Sequence, residues 1–149
     1  MRIIQDTREK EGFGWAFGNI DVIERKLETG DYSIEGMEDR ICIERKASPS
    51  EIAINVGIDS KRFEKELERM KKFEFKYLVF EFSLSSLLSF PQNSDIPKSK
   101  LSQIKLNGRA ILKILSEYQK KYGIEIIYAK DRDGAIARVL EIFEIVESL

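Results

Sequence analysis

An α/β domain built around one mixed sheet is the fold the sequence predicts, on three observations. Short alternating segments crowd residues 2–46. Phe75 to Phe82 then holds the continuous apolar run Tyr77-Leu78-Val79-Phe80, the mark of a strand buried on both faces. From residue 48 onward, segments of helical period alternate with strand-like ones, which is the pattern of helices packed on a sheet.

Each element follows from local chemistry. Arg2-Ile3-Ile4-Gln5 reads as a short strand, followed by a Gly-rich stretch from Gly12 to Gly18 with Trp15 and Phe17 inside it. Val22–Leu27 alternates as a second strand, and Gly30-Asp31 is a turn before the alternating Tyr32 and Ile34. Arg40–Lys46 is a further strand with Ile41 and Ile43 on one face. Ser48-Pro49-Ser50-Glu51 starts a helix, with Ser48 at the N-cap, Pro49 at the first helical position and Glu51 closing a capping box. A helix over 60–72 buries Phe63, Leu67 and Met70 and carries Arg62, Lys65, Arg69 and Lys72 on another face. Six serines and two prolines make 83–100 a loop with at most one helical turn. A long helix is expected over 99–122, with Leu101, Ile104, Ile111, Leu115 and Tyr118 inward and Gly123 as its stop. Ile124–Tyr128 is the last strand, and a helix over 133–148 closes the chain with Ile136, Leu140, Phe143 and Val146 inward.

The 149 residues suit one domain spanning 1–149. A chain of that size buries roughly 70% of its unfolded surface. At 42% hydrophobic and 34% charged it reads as globular. No signal peptide and no membrane-length apolar run stands in it, so the expected setting is cytoplasmic or nucleoid-associated, not secreted and not membranous. The chain has no histidine, which excludes Ser-His-Asp and Cys-His nucleophile pairs, HEXXH peptidases and histidine zinc sites. Cys42 is the only cysteine, so no internal disulfide can form, and between Ile41 and Ile43 it reads as a small buried residue. General acid-base work falls to carboxylates, Lys, Arg or Tyr, with a hard cation on oxygen ligands as the natural cofactor. No phosphate-binding G-x-x-x-x-G-K-[ST] loop or G-x-G-x-x-G turn is present.

Net charge is −1, unevenly spread. Residues 1–60 hold 8 basic and 13 acidic groups, 61–130 hold 15 and 8, and 131–149 hold 2 and 5. An acidic first segment beside a basic middle suits a cation site flanked by an anion-binding surface, and equally a chance clustering in a charge-rich chain.

The constellation that carries chemistry is Gly30-Asp31 followed by Glu44-Arg45-Lys46. Glu44 and Lys46 are two apart on a strand, so they share a face about 7 Å apart. Asp31 opens the preceding strand of a hairpin and can lie beside Glu44. Two carboxylates and a lysine at one sheet end fit Mg²⁺ held through Asp31 and Glu44, with Lys46 as positive charge or proton acceptor. Glu-x-Lys also occurs at 24–26 and 74–76, so the triplet alone fits a solvated strand as well. Its apolar strand, the capped helix after it and the turn aspartate set it apart.

Asp6-Thr7-Arg8-Glu9, Gly30-Asp31-Tyr32 and Ile43-Glu44-Arg45-Lys46, with Arg62-Phe63, Arg69-Met70 and the Tyr77–Glu81 strand, resemble the nuclease domain of XPF-family structure-specific endonucleases. That family belongs to the PD-(D/E)XK, restriction-endonuclease-like superfamily. The resemblance covers nearly the whole chain. It implies a restriction-endonuclease-like α/β fold with a central mixed sheet flanked by helices, and hydrolysis of branched or flapped DNA with Mg²⁺ or Mn²⁺, as in DNA repair or recombination. By residue, it implies metal binding by Asp31 and Glu44, catalysis by Lys46, and assistance near the phosphate by Arg45. Asp6 and Arg8 match its upstream border positions; a salt bridge at the sheet edge fits Asp6 equally. Where the family has Asp four residues past the lysine this chain has Ser50, with Glu51 one step later as either a shifted carboxylate or a helix cap. The alternative is a catalytically inactive, nuclease-like module that binds DNA or scaffolds a partner.

The family's tandem helix-hairpin-helix tail does not occur within residues 1–149, so either the chain is a fragment of something longer or grip on DNA is expected from the domain itself, a homodimer or a DNA-binding partner protein. Arg62, Lys65, Arg69 and Lys72, then Lys98, Lys100, Lys105 and Arg109, are the candidate phosphate contacts, each also readable as a solvated face. Trp15 and Phe17 read either as core anchors or as platforms for an exposed base. Glu81, at the end of the buried strand, is a candidate supporting group for the site.

Overall fold

A computed structural model of the chain describes residues 1–9 and 14–149. Of the Gly-rich stretch, residues 12 and 13 lie outside the described residues. Six strands form one sheet: β1 (Ile3–Gln5), β2 (Val22–Glu24), β3 (Tyr32–Ile34), β4 (Ile41–Lys46), β5 (Phe75–Phe80) and β6 (Glu125–Tyr128), in the order β2-β1-β3-β4-β5-β6. β3 runs antiparallel to β1 and β4, while β1–β2, β4–β5 and β5–β6 are parallel. The expected mixed α/β sheet is therefore present.

Side-chain alternation along β4 separates two cores. Ile41 and Ile43, with Val79 of β5, face a layer closed by α5 (Arg132–Ser148), together with Ile3, Trp15, Phe17 and Tyr32. Cys42, with Leu78 and Phe80, faces the opposite layer formed by α1 (Pro49–Val56), α2 (Ser60–Met70), α3 (Leu84–Leu88) and α4 (Gly108–Tyr122). Phe63, Leu67 and Met70 of α2 are all buried there, as their spacing predicts. Each such side chain contributes roughly 1.5–3 kcal/mol through burial. Among the described residues no helix is long and apolar enough to cross a membrane.

Three expectations need correction. The long helix over 99–122 is two pieces: a 3-10 segment at Lys98–Gln103 and α4, which starts at Gly108. Asn107 stops the continuity. Its backbone is extended and its Oδ1 accepts the Ala110 N–H at 2.9 Å, an N-cap. Gly108 then lies so close to Leu87 that a Cβ would meet its carbonyl oxygen, and its N–H donates to the Phe90 carbonyl at 3.0 Å. The Asn-Gly pair is thus a boundary signal, and Leu101 and Ile104 sit outside the helix. On α5 the buried stripe is Ala135, Val139, Ile142, Phe143 and Val146; Ile136 and Leu140 are only partly buried, because the helix is rotated by about one residue from the expected face. The capping box is also offset. Ser48 Oγ accepts the Glu51 N–H at 3.2 Å, but Glu51 Oε1 reaches back to the N–H of Ala47, at 2.7 Å, not to that of Ser48.

Replacing Asn107 with Ala is expected to lower stability by about 1 kcal/mol, a Tm loss of about 2–4 °C in a thermal melt; an unchanged Tm contradicts the cap assignment.

Candidate active site

β4 carries the site because its last three residues run past the end of β3. Tyr32 pairs with Ile43, and the Asp31 N–H donates to the Ile43 carbonyl at 2.7 Å. Asp31 therefore sits beside Glu44, and its Oδ2 accepts the Arg45 N–H at 2.8 Å. Gly30 makes this approach possible. Its φ is +88°, and a Cβ there would lie 2.6 Å from Cys42 Sγ and 3.1 Å from the Ile43 carbonyl oxygen.

Asp31 and Glu44 share a hydrogen bond between their carboxyls. Burial is the main cause that pushes both above the ordinary carboxylate range, Glu44 the further because the Asp31 charge and hydrogen bond both oppose its ionisation. Neither forms an ion pair among the described residues. Lys46 lies on the same face, as the alternation predicts. It is only 7% exposed, its ammonium stands 5.2 Å from the centroid of the Phe63 ring, and it has no carboxylate partner among the described residues.

These groups floor a cleft of about 350 Å³, whose walls include Arg8, Thr29 and Glu51 and, from α2, Arg62, Glu66 and Arg69. Among the described residues no group of three or more His, Cys, Asp or Glu side chains converges as a ready-made ion cage. The donor set still fits a hard divalent cation. Two adjoining carboxyls, both raised above the ordinary carboxylate range mainly by burial, supply the one or two protein ligands Mg²⁺ ordinarily takes, with water and phosphate oxygens completing its shell.

Comparison with known proteins decides the family. The ERCC4 domain profile matches residues 5–140. This chain belongs to the ERCC4 domain family. Among solved structures it is similar to XPF from Aeropyrum pernix, at 20% identity and a TM-score of 0.69, covering 99% of this chain and 65% of that one. It is also similar to XPF from Aeropyrum pernix in complex with DNA, at 22% identity and a TM-score of 0.63, covering 99% and 64%. The chain thus spans somewhat less than two thirds of either neighbour, and the likeness confirms the expected fold. No curated protein matches it.

In this ERCC4 domain Arg45 borders the cleft, and strand alternation turns its side chain to the α5 side, opposite Glu44 and Lys46. There its guanidinium donates twice to Glu9, at 2.8 Å each, and once to Glu81, at 3.2 Å. Glu81 also accepts the Trp15 indole N–H at 2.7 Å, so the candidate supporting group acts as a strut for Arg45. Trp15 and Phe17 are core anchors, with Trp15 stacked on Tyr32 at 4.6 Å, and neither is exposed to a base.

Asp6 is the salt-bridge alternative. Burial opposes its charge, but hydrogen bonds from Arg8 and from the Leu27 and Arg8 backbone outweigh it and hold the carboxyl below its ordinary range. That leaves Arg8, 59% exposed, in a fixed posture: Nε on Asp6, one Nη on the Leu27 carbonyl, and the field of Asp31 and Glu44 around it. Arg8 is an arginine that the cleft displays, beside Arg62 and Arg69. Glu51 lines the cleft while serving as the cap. Ser50 turns outward, its hydroxyl 3.1 Å from Asp95 Oδ1. Arg62 and Arg69 line the cleft, whereas Lys65, Lys105 and Arg109 do not, and Lys72 pairs with Glu28 at 3.3 Å.

The sequence reading omits Glu66 and Thr29. Glu66 is four after Arg62 and three before Arg69, so the helical period that selects those arginines also selects it. The Thr29 hydroxyl is buried in the cleft wall without a hydrogen-bond partner among the described residues, which no sequence pattern signals.

Two outcomes follow from this geometry. Gly30→Ala is expected to cost about 1–3 kcal/mol in chemical denaturation, from the left-handed backbone and the Cys42 clash together; a neutral substitution refutes the close approach. Glu44→Gln is expected to stabilise the metal-free protein at neutral pH by on the order of 1 kcal/mol. The parent's Glu44 keeps its proton when folded at pH values where it loses it unfolded, so its stability declines as pH rises above the ordinary glutamate range. The gap between variant and parent opens there and widens upward; paired melts from pH 4 to 8 showing no widening would contradict the raised Glu44.

Proposed function

We propose that this ERCC4 domain is a metal-dependent endonuclease acting on DNA, with branched or flapped DNA as its substrate class and Mg²⁺ or Mn²⁺ as its cofactor. The observation that carries the reading is the meeting of a recessed carboxyl pair and a buried lysine on one face of one sheet end, none of the three in an ion pair among the described residues. Such an arrangement costs folding stability and has no structural benefit of its own, which is the expected signature of a site shaped for charge it must receive.

Asp31 and Glu44 are the residues that would hold the ion, giving up their shared proton to do so. When bound, the ion supplies Lewis-acid polarisation of a phosphate and lowers the pKa of a coordinated water. Lys46, over the Phe63 ring and shielded from solvent, places a fixed positive charge where negative charge develops on the phosphoryl oxygens. Arg8, pre-set by Asp6 and Leu27, retains guanidinium donors for a phosphate at the cleft mouth. Arg62 and Arg69 extend that anion-attracting rim, and Glu66 between them keeps it from being uniformly cationic.

A second reading rests on Ser50. The position where the resemblance implies a carboxylate holds a hydroxyl turned towards Asp95, which suits a silent domain that binds DNA or supports an active partner. Cleavage assays on flap, fork and plain duplex DNA separate the two. With Mg²⁺ the parent is expected to cut flap or fork DNA, EDTA to stop it, and Lys46→Ala to lose about 10²-fold or more in rate. Undiminished cutting by Lys46→Ala removes that lysine from the mechanism, and binding without cutting by the parent favours the silent domain.

A further inference from the structure

Three arginines near the β1–β3 end are neutralised: Arg2 and Arg25 share Glu35, Arg25 also meets Glu38, and Arg40 meets Glu74. On α4, Arg109, Lys113 and Lys120 are all exposed, and none has a carboxylate within ion-pair distance among the described residues. They fall at i, i+4 and i+11, one stripe along the helix. With Leu88 and Leu112 they border an open groove of about 690 Å³ beside α3. Glu117 is the single acid in that lining. Three like charges on one helical stripe repel each other, and Glu117, between Lys113 and Lys120, offsets only part of that repulsion.

The stripe starts at the working end of the sheet. β4 and β5 are parallel with Lys46 opposite Phe80, and the Glu81 N–H donates to the Lys46 carbonyl at 2.9 Å. The chain then passes through α3 to Phe90, whose carbonyl receives the Gly108 N–H at the first residue of α4. Arg109 is therefore at the end of the sheet where the cleft lies, and Lys120 is eleven residues further. At 1.5 Å per residue the stripe is about 16 Å long, close to five phosphate spacings along one strand of B-DNA.

We infer that Arg109, Lys113 and Lys120 form a phosphate-backbone track, separate from the cleft, for the part of a nucleic acid that runs beyond it. The track rests on the DNA-acting reading above. It carries grip and no chemistry, since none of its side chains lines the cleft. Its partner is a nucleic-acid strand because three cations spaced one and two turns apart match a repeating anion, whereas Leu88 and Leu112 offer only a narrow apolar border.

The test is the salt dependence of binding to a flap DNA by fluorescence anisotropy, using the whole chain. The variant is Arg109→Gln/Lys113→Gln/Lys120→Gln, and the charge-matched control is Lys26→Gln/Lys130→Gln/Arg138→Gln, none of which lines either surface. The track predicts that the slope of log K against log salt falls in magnitude by two to three in the variant, at about 0.9 per lost phosphate contact, and stays at the parent's value in the control. It also predicts a raised KM with unchanged kcat for the variant wherever the parent cleaves. A variant slope equal to the parent's, or a control that loses as much as the variant, overturns the track while leaving the DNA-acting reading in place. A parent that binds no DNA overturns both.

Discussion

Two carboxyls pressed together at the end of a strand are the constraint from which the rest of this structure can be read. Asp31 and Glu44 would separate if their backbones allowed it, because burial penalises both charges and the Asp31 charge opposes ionisation of Glu44. The backbones do not allow it. The Asp31 amide is bound to Ile43, its carboxylate is bound to the Arg45 amide, and Gly30 brings the turn against Cys42 where any side chain would collide. The surrounding sheet supplies what this geometry costs. Two cores on opposite faces fix β4 from both sides, and the parallel pairing with β5 extends to Lys46.

The same strand distributes its last residues by parity. Glu44 and Lys46 go to the α2 face and into the cleft, while Arg45 goes to the other and is tied off by Glu9 and Glu81. The neighbouring arginine that remains presented is Arg8, from the edge of the sheet. A positive charge displayed at the cleft and a positive charge tied into the frame are thus divided between two arginines, and their positions on the sheet, not their residue type, settle which is which.

How much of this could be read from the letters depends on the range of the interaction involved. The strands, α2, the Gly30-Asp31 turn and the shared face of Glu44 and Lys46 follow from periods of 2 and 3.6 residues, and these were legible. The family resemblance then supplied the sheet's identity. Arg45's true role was half legible: alternation already assigns it the opposite face, but its partner Glu9 lies 36 residues away and comes within reach only through the sheet. The break before α4 was legible in principle, since Asn-Gly is boundary chemistry, yet the apolar spacing of Leu101 and Ile104 favours continuity. Glu66 was hidden among six charges on α2, and the unpartnered Thr29 hydroxyl has no signature in sequence at all.

The Trp15 strut has a practical consequence. The chain has one tryptophan, fully enclosed, stacked on Tyr32 and bonded through its indole nitrogen to the same glutamate that steadies Arg45. Its indole emission, excited at wavelengths the five tyrosines barely absorb, therefore originates from a single place, stacked on the residue that follows Asp31. The native chain carries its own optical probe, and any event that loosens β4 or shifts Glu81 changes the colour or intensity of that light without a label.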